Sequence, residues 1–344
     1  IIFSEDSSTL IKGLTSSNLR TTIDDYNYRE TSWDFEASPL LTASDSPLLE
    51  ERYRDYKRYW ADKFFELHRN EEELNRIFID IYGLQEELTP DVELKDVTIL
   101  QQEKIITEGG GLDFNTAEVV RQFISYAVGC MFGRYSLDAP GLILANQGET
   151  LADYLAKVPE PRFTPDDDNI IPVLDDEYFH DDIVFRFNRF LEAALGSEGF
   201  DRNLQFIESA LGMTLRRYFT NEFYKDHLKR YKKRPIYWMV SSPAGSFKAL
   251  IYMHRYNTQT MSKIYNDYLK EFASKLNARL KDLQDGIIHT PNPVREEEKL
   301  RRAIKDTEDL LIALTPFALN PVEIDLDDGV KANLLKFKGA VVQV

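Results

Sequence analysis

One cysteine in 344 residues, Cys130, rules out any internal disulfide. It sits in the apolar run Ser125-Tyr126-Ala127-Val128-Gly129-Cys130-Met131-Phe132. A free thiol in such a run behaves as a small hydrophobe, so a core position is expected. A chain without disulfides fits a reducing cytoplasm. No stretch approaches the roughly 20 apolar residues that span a bilayer, so no membrane partner is expected. Ile1-Ile2-Phe3-Ser4-Glu5 has no basic start and no apolar run, and so does not read as a signal peptide. The first residue is not Met, and on that ground a piece of a longer protein is expected.

Signatures of chemistry are missing too. Gly245-Ser246-Phe247-Lys248 lacks the second glycine and the spacing of a phosphate-binding loop. No Gly-x-Ser-x-Gly elbow occurs. The five histidines (His68, His180, His227, His254 and His289) form no His-x3-His pair and no Cys-His cluster, which argues against a zinc site. Methyl transfer to a base amine needs a Gly-rich cofactor loop and a polar-Pro-Pro-aromatic motif. Here Asn292-Pro293 is followed by Val294.

Positive charge is in deficit, with 42 Lys and Arg against 58 Asp and Glu and a net charge of −16. A uniformly basic nucleic-acid sleeve is therefore excluded. The charge is uneven, however. Asp166-Asp167-Asp168, Asp175-Asp176-Glu177 and Asp181-Asp182 make an acidic stretch without the frame of a calcium loop. It reads as a solvated acidic loop. Residues 214–235 are basic, carrying Arg216, Arg217, Lys225, Lys229, Arg230, Lys232, Lys233 and Arg234. A local basic patch can bind phosphate even on an acidic protein.

Apolar spacing of three and four runs through Tyr53, Tyr56, Trp60, Phe64, Leu67, Leu74, Ile77, Phe78 and Ile81, with Gly83 as the stop. One long helix over 49–82 is expected. Residues 1–50 read as mixed and polar. Residues 84–114 read as turn and extended chain, broken at Gly109-Gly110-Gly111. Asn115 and Glu118 have the spacing of a helix cap. Further helices are expected over 181–195, 201–211 and 214–231. Two short strands, 236–240 and 247–252, flank a Pro/Gly turn. Two more helical stripes, Met261 to Leu283 and Leu300 to Leu314, should pack antiparallel across a proline-containing link. The expected fold is mainly α, α+β overall: a long-helix bundle or spacer-like scaffold with a small β-hairpin. The expected segments are 1–114, a long-helix spacer; 115–257, a mixed helical domain; and 258–344, a helix pair and tail.

The candidate DNA-binding residues lie in the basic run and the hairpin after it. Arg216, Arg217, Lys229, Arg230, Lys232, Lys233, Arg234 and Lys248 could meet phosphates, and Arg255 extends the set. Tyr237, Trp238, His254 and Tyr256 could stack on bases. The plainer alternative is a basic helix end facing its own C-terminal dipole, followed by a hairpin with Trp238 in the core.

Several long segments, in order along the chain, resemble one family. They are ETSWDFEASPLL (Glu30–Leu41), EEELNRIFIDIYGLQEELTPDV (Glu71–Val92) and ISYAVGCMFGRYSLDAPGLI (Ile124–Ile143). DDDNIIPVLDDEYFHDDIV (Asp166–Val184), YKKRPIYWMVSSPAGSFKALIYMHRYN (Tyr231–Asn257) and IDLDDGVKANLLKF (Ile324–Phe337) complete the set. Together they resemble the C-terminal region of the adenine-specific DNA methyltransferases of bacteriophage-exclusion (BREX) systems, the PglX-like family. The resemblance implies a longer parent enzyme that moves a methyl group from S-adenosylmethionine to adenine N6 in double-stranded DNA. It places the catalytic and cofactor motifs upstream, so no catalytic residue, cofactor site or metal is expected here. NRIFIDIYGL also resembles a spacer helix found near target-recognition modules of restriction-modification enzymes. The implied role is a non-catalytic DNA clasp beside the upstream methyltransferase domain. The rival is a docking region for other defence proteins.

Overall fold

Gly83 adopts φ 67 and ends a 34-residue helix, Leu49–Tyr82, which is about 50 Å long at 1.5 Å per residue. In the computed structural model, residues 5–343 are described. They divide into two compact units: residues 5–126 with 195–211, and residues 127–194 with 212–343. The mainly helical α+β class is as the sequence implies. No helix among the described residues is long and apolar enough to cross a membrane.

In the first unit the long helix buries Tyr53, Tyr56, Trp60, Phe64 and Leu67, which is the stripe read from the spacing. Leu48, at its N-cap, offers no side-chain acceptor. Asn203, fully buried on the Phe200–Leu211 helix, supplies one: its Oδ1 accepts from Leu49 N at 2.7 Å, and its Nδ2 donates to Pro47 O at 2.8 Å. A helix start left bare by its own sequence is thus capped from 154 residues away.

Residues 1–50 hold a helix that the polar pattern conceals, Glu5–Asn27. Thr21 is its one buried residue. Side-chain hydrogen bonds help fasten it to the long helix: Ser17 donates to Glu66 at 2.8 Å and Asn70 to Asn18 at 2.8 Å. Strands β1 (Lys104–Ile106) and β2 (Leu112–Phe114) pair antiparallel around the glycine triplet. Asn115 Oδ1 accepts from Glu118 N at 3.2 Å and so caps the Thr116–Met131 helix.

The second unit is built on a three-stranded antiparallel sheet in the order β3 (Ile170–Pro172), β5 (Lys248–Tyr252), β4 (Tyr237–Ser241). The hairpin is where the sequence places it. The third strand hides in the proline-punctuated loop, because its three residues are too few to show a period. The outer edge of β4 is covered by the chain's tail: Val342 N donates to Met239 O at 2.8 Å, and Ser241 N to Ala340 O at 3.2 Å. Trp238, Val240, Phe247 and Ile251 face a core shared with Phe272, Leu276, Leu300, Leu310 and Leu314. Cys130 is buried, as expected.

The two tail helices fold back on each other, with Gln284 and Glu297 bonded at 2.9 Å and Arg279 and Glu296 at 3.5 Å. The first contains a π-helical turn, Ile264–Leu269. The second, Pro293–Leu319, begins with Asn292 as cap and Pro293 in the first turn, a pairing that suits a helix start.

Asp306 on this second helix organises the hairpin turn. Its carboxylate accepts from Ser242 Oγ at 2.6 Å, Ala244 N at 2.7 Å and Ser246 N at 2.9 Å. These bonds hold its pKa below the ordinary value despite burial. Its stabilising contribution is therefore present above about pH 4, the unfolded value, and is lost as pH falls through the lower folded value. Asp306→Ala should destabilise the protein by about 2–3 kcal/mol, since three donors lose a charged acceptor. The loss should shrink at acid pH. Urea unfolding at pH 7 and pH 3 checks both.

Candidate nucleic-acid interface

Thr214 starts the basic segment. Its Oγ1 accepts from Arg217 N at 3.4 Å and caps the Leu215–Asn221 helix. The single helix expected over 214–231 is two, because the chain breaks at Glu222 (φ −118, ψ −37) before Phe223–Arg230. No Gly or Pro marks that break. The second helix ends in a turn whose two central residues are both left-handed, Lys232 at φ 50 and Lys233 at φ 60. Lys233 N donates to Leu228 O at 2.8 Å, and Arg234 N to Tyr231 O at 2.9 Å. The first of these is the six-to-one bond of a Schellman-type helix end, where glycine is the usual residue.

His227, fully buried, fixes this turn to the sheet. Its Nε2 accepts from Ile236 N and Tyr237 N, both at 3.2 Å. Burial and the nearby Arg230 and Arg134 pull its pKa down to about 3, so it is neutral and can accept. The scattered histidines gave no hint of this role, since the acceptors of a buried ring are settled by packing.

The turn projects Lys229, Lys232, Lys233 and Arg234 into solvent, none in an ion pair among the described residues. Arg217 is exposed as well, whereas Arg230 is half-buried and has its own interactions. The other sequence candidates lie elsewhere. Arg216 is held by Asp182, with Nη1 to Oδ2 and Nη2 to Oδ1 both at 3.0 Å, and by Leu174 O at 2.9 Å. Lys248 is half-buried, and its Nζ donates to Thr220 O at 2.7 Å. Arg255 is buried and donates to the carbonyls of Phe132, Asp166 and Asp167. Trp238 has no exposed surface, and Tyr256 is buried with its hydroxyl on Val322 O at 2.8 Å. His254 is partly buried, and burial and Arg134 lower its pKa to about 4. A base cannot stack on rings the core has enclosed, so Tyr237, Trp238 and Tyr256 are core residues. At neutral pH His254 carries no charge to offer a phosphate.

The acidic stretch is corrected in the same way. Asp166 and Asp182 are buried. Arg186 Nη1 lies 3.3 Å from Asp166, and Lys263 Nζ lies 3.5 Å from Asp168. Burial, with Asp168 nearby, raises the Asp166 pKa well above the usual carboxylate range against the pull of Arg186. Asp166, Asp167 and Asp168 could offer three oxygens within 4.8 Å of one another. The protein's own cations already crowd them. Only Asp175, Asp176, Glu177 and Asp167 of the stretch are exposed, and Asp175 and Asp176 pair with Lys299 at 2.8 Å and Arg279 at 2.7 Å.

Arg216 and Arg217 therefore separate in their roles. Arg216→Ala strands Asp182 without its partner and should cost about 3–5 kcal/mol. Arg217→Ala should change stability by less than about 0.5 kcal/mol. Denaturant melts of the two variants compare them directly.

No family model matches the chain. Adenine-specific methyltransferase PglX of Lacticaseibacillus casei (strain Zhang) is 36% identical over 344 residues, covering 94% of this chain and 27% of that protein. Adenine-specific methyltransferase BrxX of Escherichia coli O9:H4 (strain HS) is 32% identical over 346 residues, covering 93% of this chain and 28% of that protein. The chain thus spans little more than a quarter of the length of these curated relatives. By that match over nearly all its length, the chain belongs to the PglX-like adenine-specific methyltransferases, as the counterpart of one segment of those longer proteins.

Proposed function

We propose that this chain is a non-catalytic, C-terminal DNA-clasping segment of a BREX adenine-N6 DNA methyltransferase. Its parent protein would use S-adenosylmethionine, bound outside this segment, and would act on double-stranded DNA in the cytoplasm. The observation that carries the reading is the turn after the Phe223–Arg230 helix. Four exposed cations, Lys229, Lys232, Lys233 and Arg234, stand within six residues and have no acidic partner among the described residues. Cations left unpaired on a protein of net charge −16 are ready to exchange counterions with phosphates.

The contact would position the duplex rather than read it. Arginine and lysine at phosphates carry no sequence information, and Tyr237 and Trp238, which follow the turn, are in the core. The two left-handed lysines support the assignment. A left-handed backbone costs a residue with a Cβ about 1–2 kcal/mol, and such strain concentrates at functional sites.

A second reading, docking of other defence components, is favoured by a separate feature. Leu19, Ile23 and Tyr26 recur at helical spacing on the Glu5–Asn27 helix and are half-exposed, and Trp33 is 89% exposed. Surfaces of this kind mark protein contacts when they are contiguous.

The test replaces Lys232 and Lys233 together, once by Ala and once by Gly. Either pair should lower the slope of log affinity for duplex DNA against log salt by about 1–2, one contact's worth per lysine. Glycine suits the left-handed turn, so the Gly pair separates loss of charge from loss of fold. An unchanged slope in a Gly pair that melts like the parent would sink the clasp and leave the docking reading.

A further inference from the structure

Beside the hairpin turn the second unit opens a groove of about 1010 Å³, at the upper end of the size of small-molecule sites. It is lined by parts of the turn, the end of the Leu215–Asn221 helix and the first turns of the Pro293–Leu319 helix. Phe272, Leu276 and Leu300 lie buried beneath it, and the partly exposed Tyr178 ring, packed edge-on against Phe272, stands at its wall.

Most charge around the groove is already neutralised. Lys299 pairs with Asp175 at 2.8 Å, Arg302 with Glu298 at 2.9 Å, and Glu296 with Arg279 at 3.5 Å. Two cations remain without a carboxylate among the described residues, Lys248 and Arg295. Lys248 is held in place. Its Nζ sits 2.7 Å from Thr220 O, and its stem crosses Gly245 so closely that a Cβ there would come within 2.9 Å of Lys248 Cε. Burial and the nearby Lys225 lower its pKa, the strain of a cation with no counter-charge. Arg295 is exposed, in the first turn of a 27-residue helix whose dipole also favours an anion.

The turn itself offers an occupant no free backbone donor. Ala244 N and Ser246 N are taken by Asp306, Gly245 N by Ser242 O, and Phe247 N by Ser242 Oγ. A peptide adding along this wall would find no free backbone donor. The ligand must be held by side chains: an anionic head for two cations and a flat body for the Tyr178 ring.

We infer that the groove binds a nucleoside phosphate, with its phosphate on Lys248 and Arg295 and its base against the Tyr178 ring. The inference does not rest on the DNA-clasp reading, whose lysines lie outside the groove lining.

The experiment is calorimetric titration of the purified protein with ADP, adenosine and inorganic phosphate. ADP should bind saturably and more tightly than either fragment. Arg295→Ala and Lys248→Met should each weaken ADP about tenfold, as expected for loss of a charge-assisted hydrogen bond. The Lys232→Ala, Lys233→Ala pair should leave ADP binding unchanged. Arg295 is exposed, so that variant stays informative even if Lys248→Met fails to fold. A 5′-phosphorylated oligonucleotide that displaces ADP, while its unphosphorylated twin does not, would identify a strand end as the source of the nucleotide; no displacement would identify a free one. No ADP binding at millimolar concentration overturns the inference. So do phosphate binding as tight as ADP, indifference to Arg295→Ala, or equal weakening by the Lys232/Lys233 pair.

Discussion

Asp182 has no exposed surface, and its carboxylate meets both arms of the Arg216 guanidinium at 3.0 Å. It also accepts from Val184 N at 2.9 Å, at the start of the Ile183–Leu195 helix. A buried carboxylate is tolerable only when partners replace the water it has lost. The same rule governs Asp166 with Arg186, and Asp306 with the hairpin turn. These carboxylates draw the acidic and basic stretches of the second unit together. They also decide which cations remain outside for a partner.

The hairpin loop shows the consequence. Its Ser-Pro-Ala-Gly-Ser turn gathers backbone and hydroxyl donors around one anion, as a phosphate-binding loop does. The anion is the protein's own Asp306. The turn is therefore closed to an external phosphate, and its interest moves to the side chain that leaves it, Lys248. The basic turn at 229–234 is the converse case. His227 anchors its base in the core, while no acidic residue among those described pairs with its lysines.

Much of the fold was legible along the chain. The apolar stripe from Tyr53 to Leu67, the stop at Gly83, the cap at Asn115, the hairpin and the core position of Cys130 all follow from local periodicity or local turn chemistry. The Glu5–Asn27 helix was not legible, because it buries almost nothing and is fastened by polar side chains such as Ser17 and Asn18. The break at Glu222 carries no Gly or Pro, and β3 is too short to show a period. Of the candidate site, the run from Lys229 to Arg234 was legible as charge. Arg216 and Arg217, adjacent and chemically identical, were not separable.

The sequence by itself determined the mainly helical class, the positions of the hairpin and long helix, and membership of a methyltransferase family. Those depend on spacing within about twenty residues and on similarity sustained over the whole chain. Tertiary structure alone decided which charges are spent and which are free. Arg216 lies 34 residues from Asp182, Arg255 lies 89 from Asp166, and Asp306 lies 64 from Ser242. Whether a charged side chain meets solvent or an opposite charge is fixed by packing at that range, and no local pattern of residues encodes it.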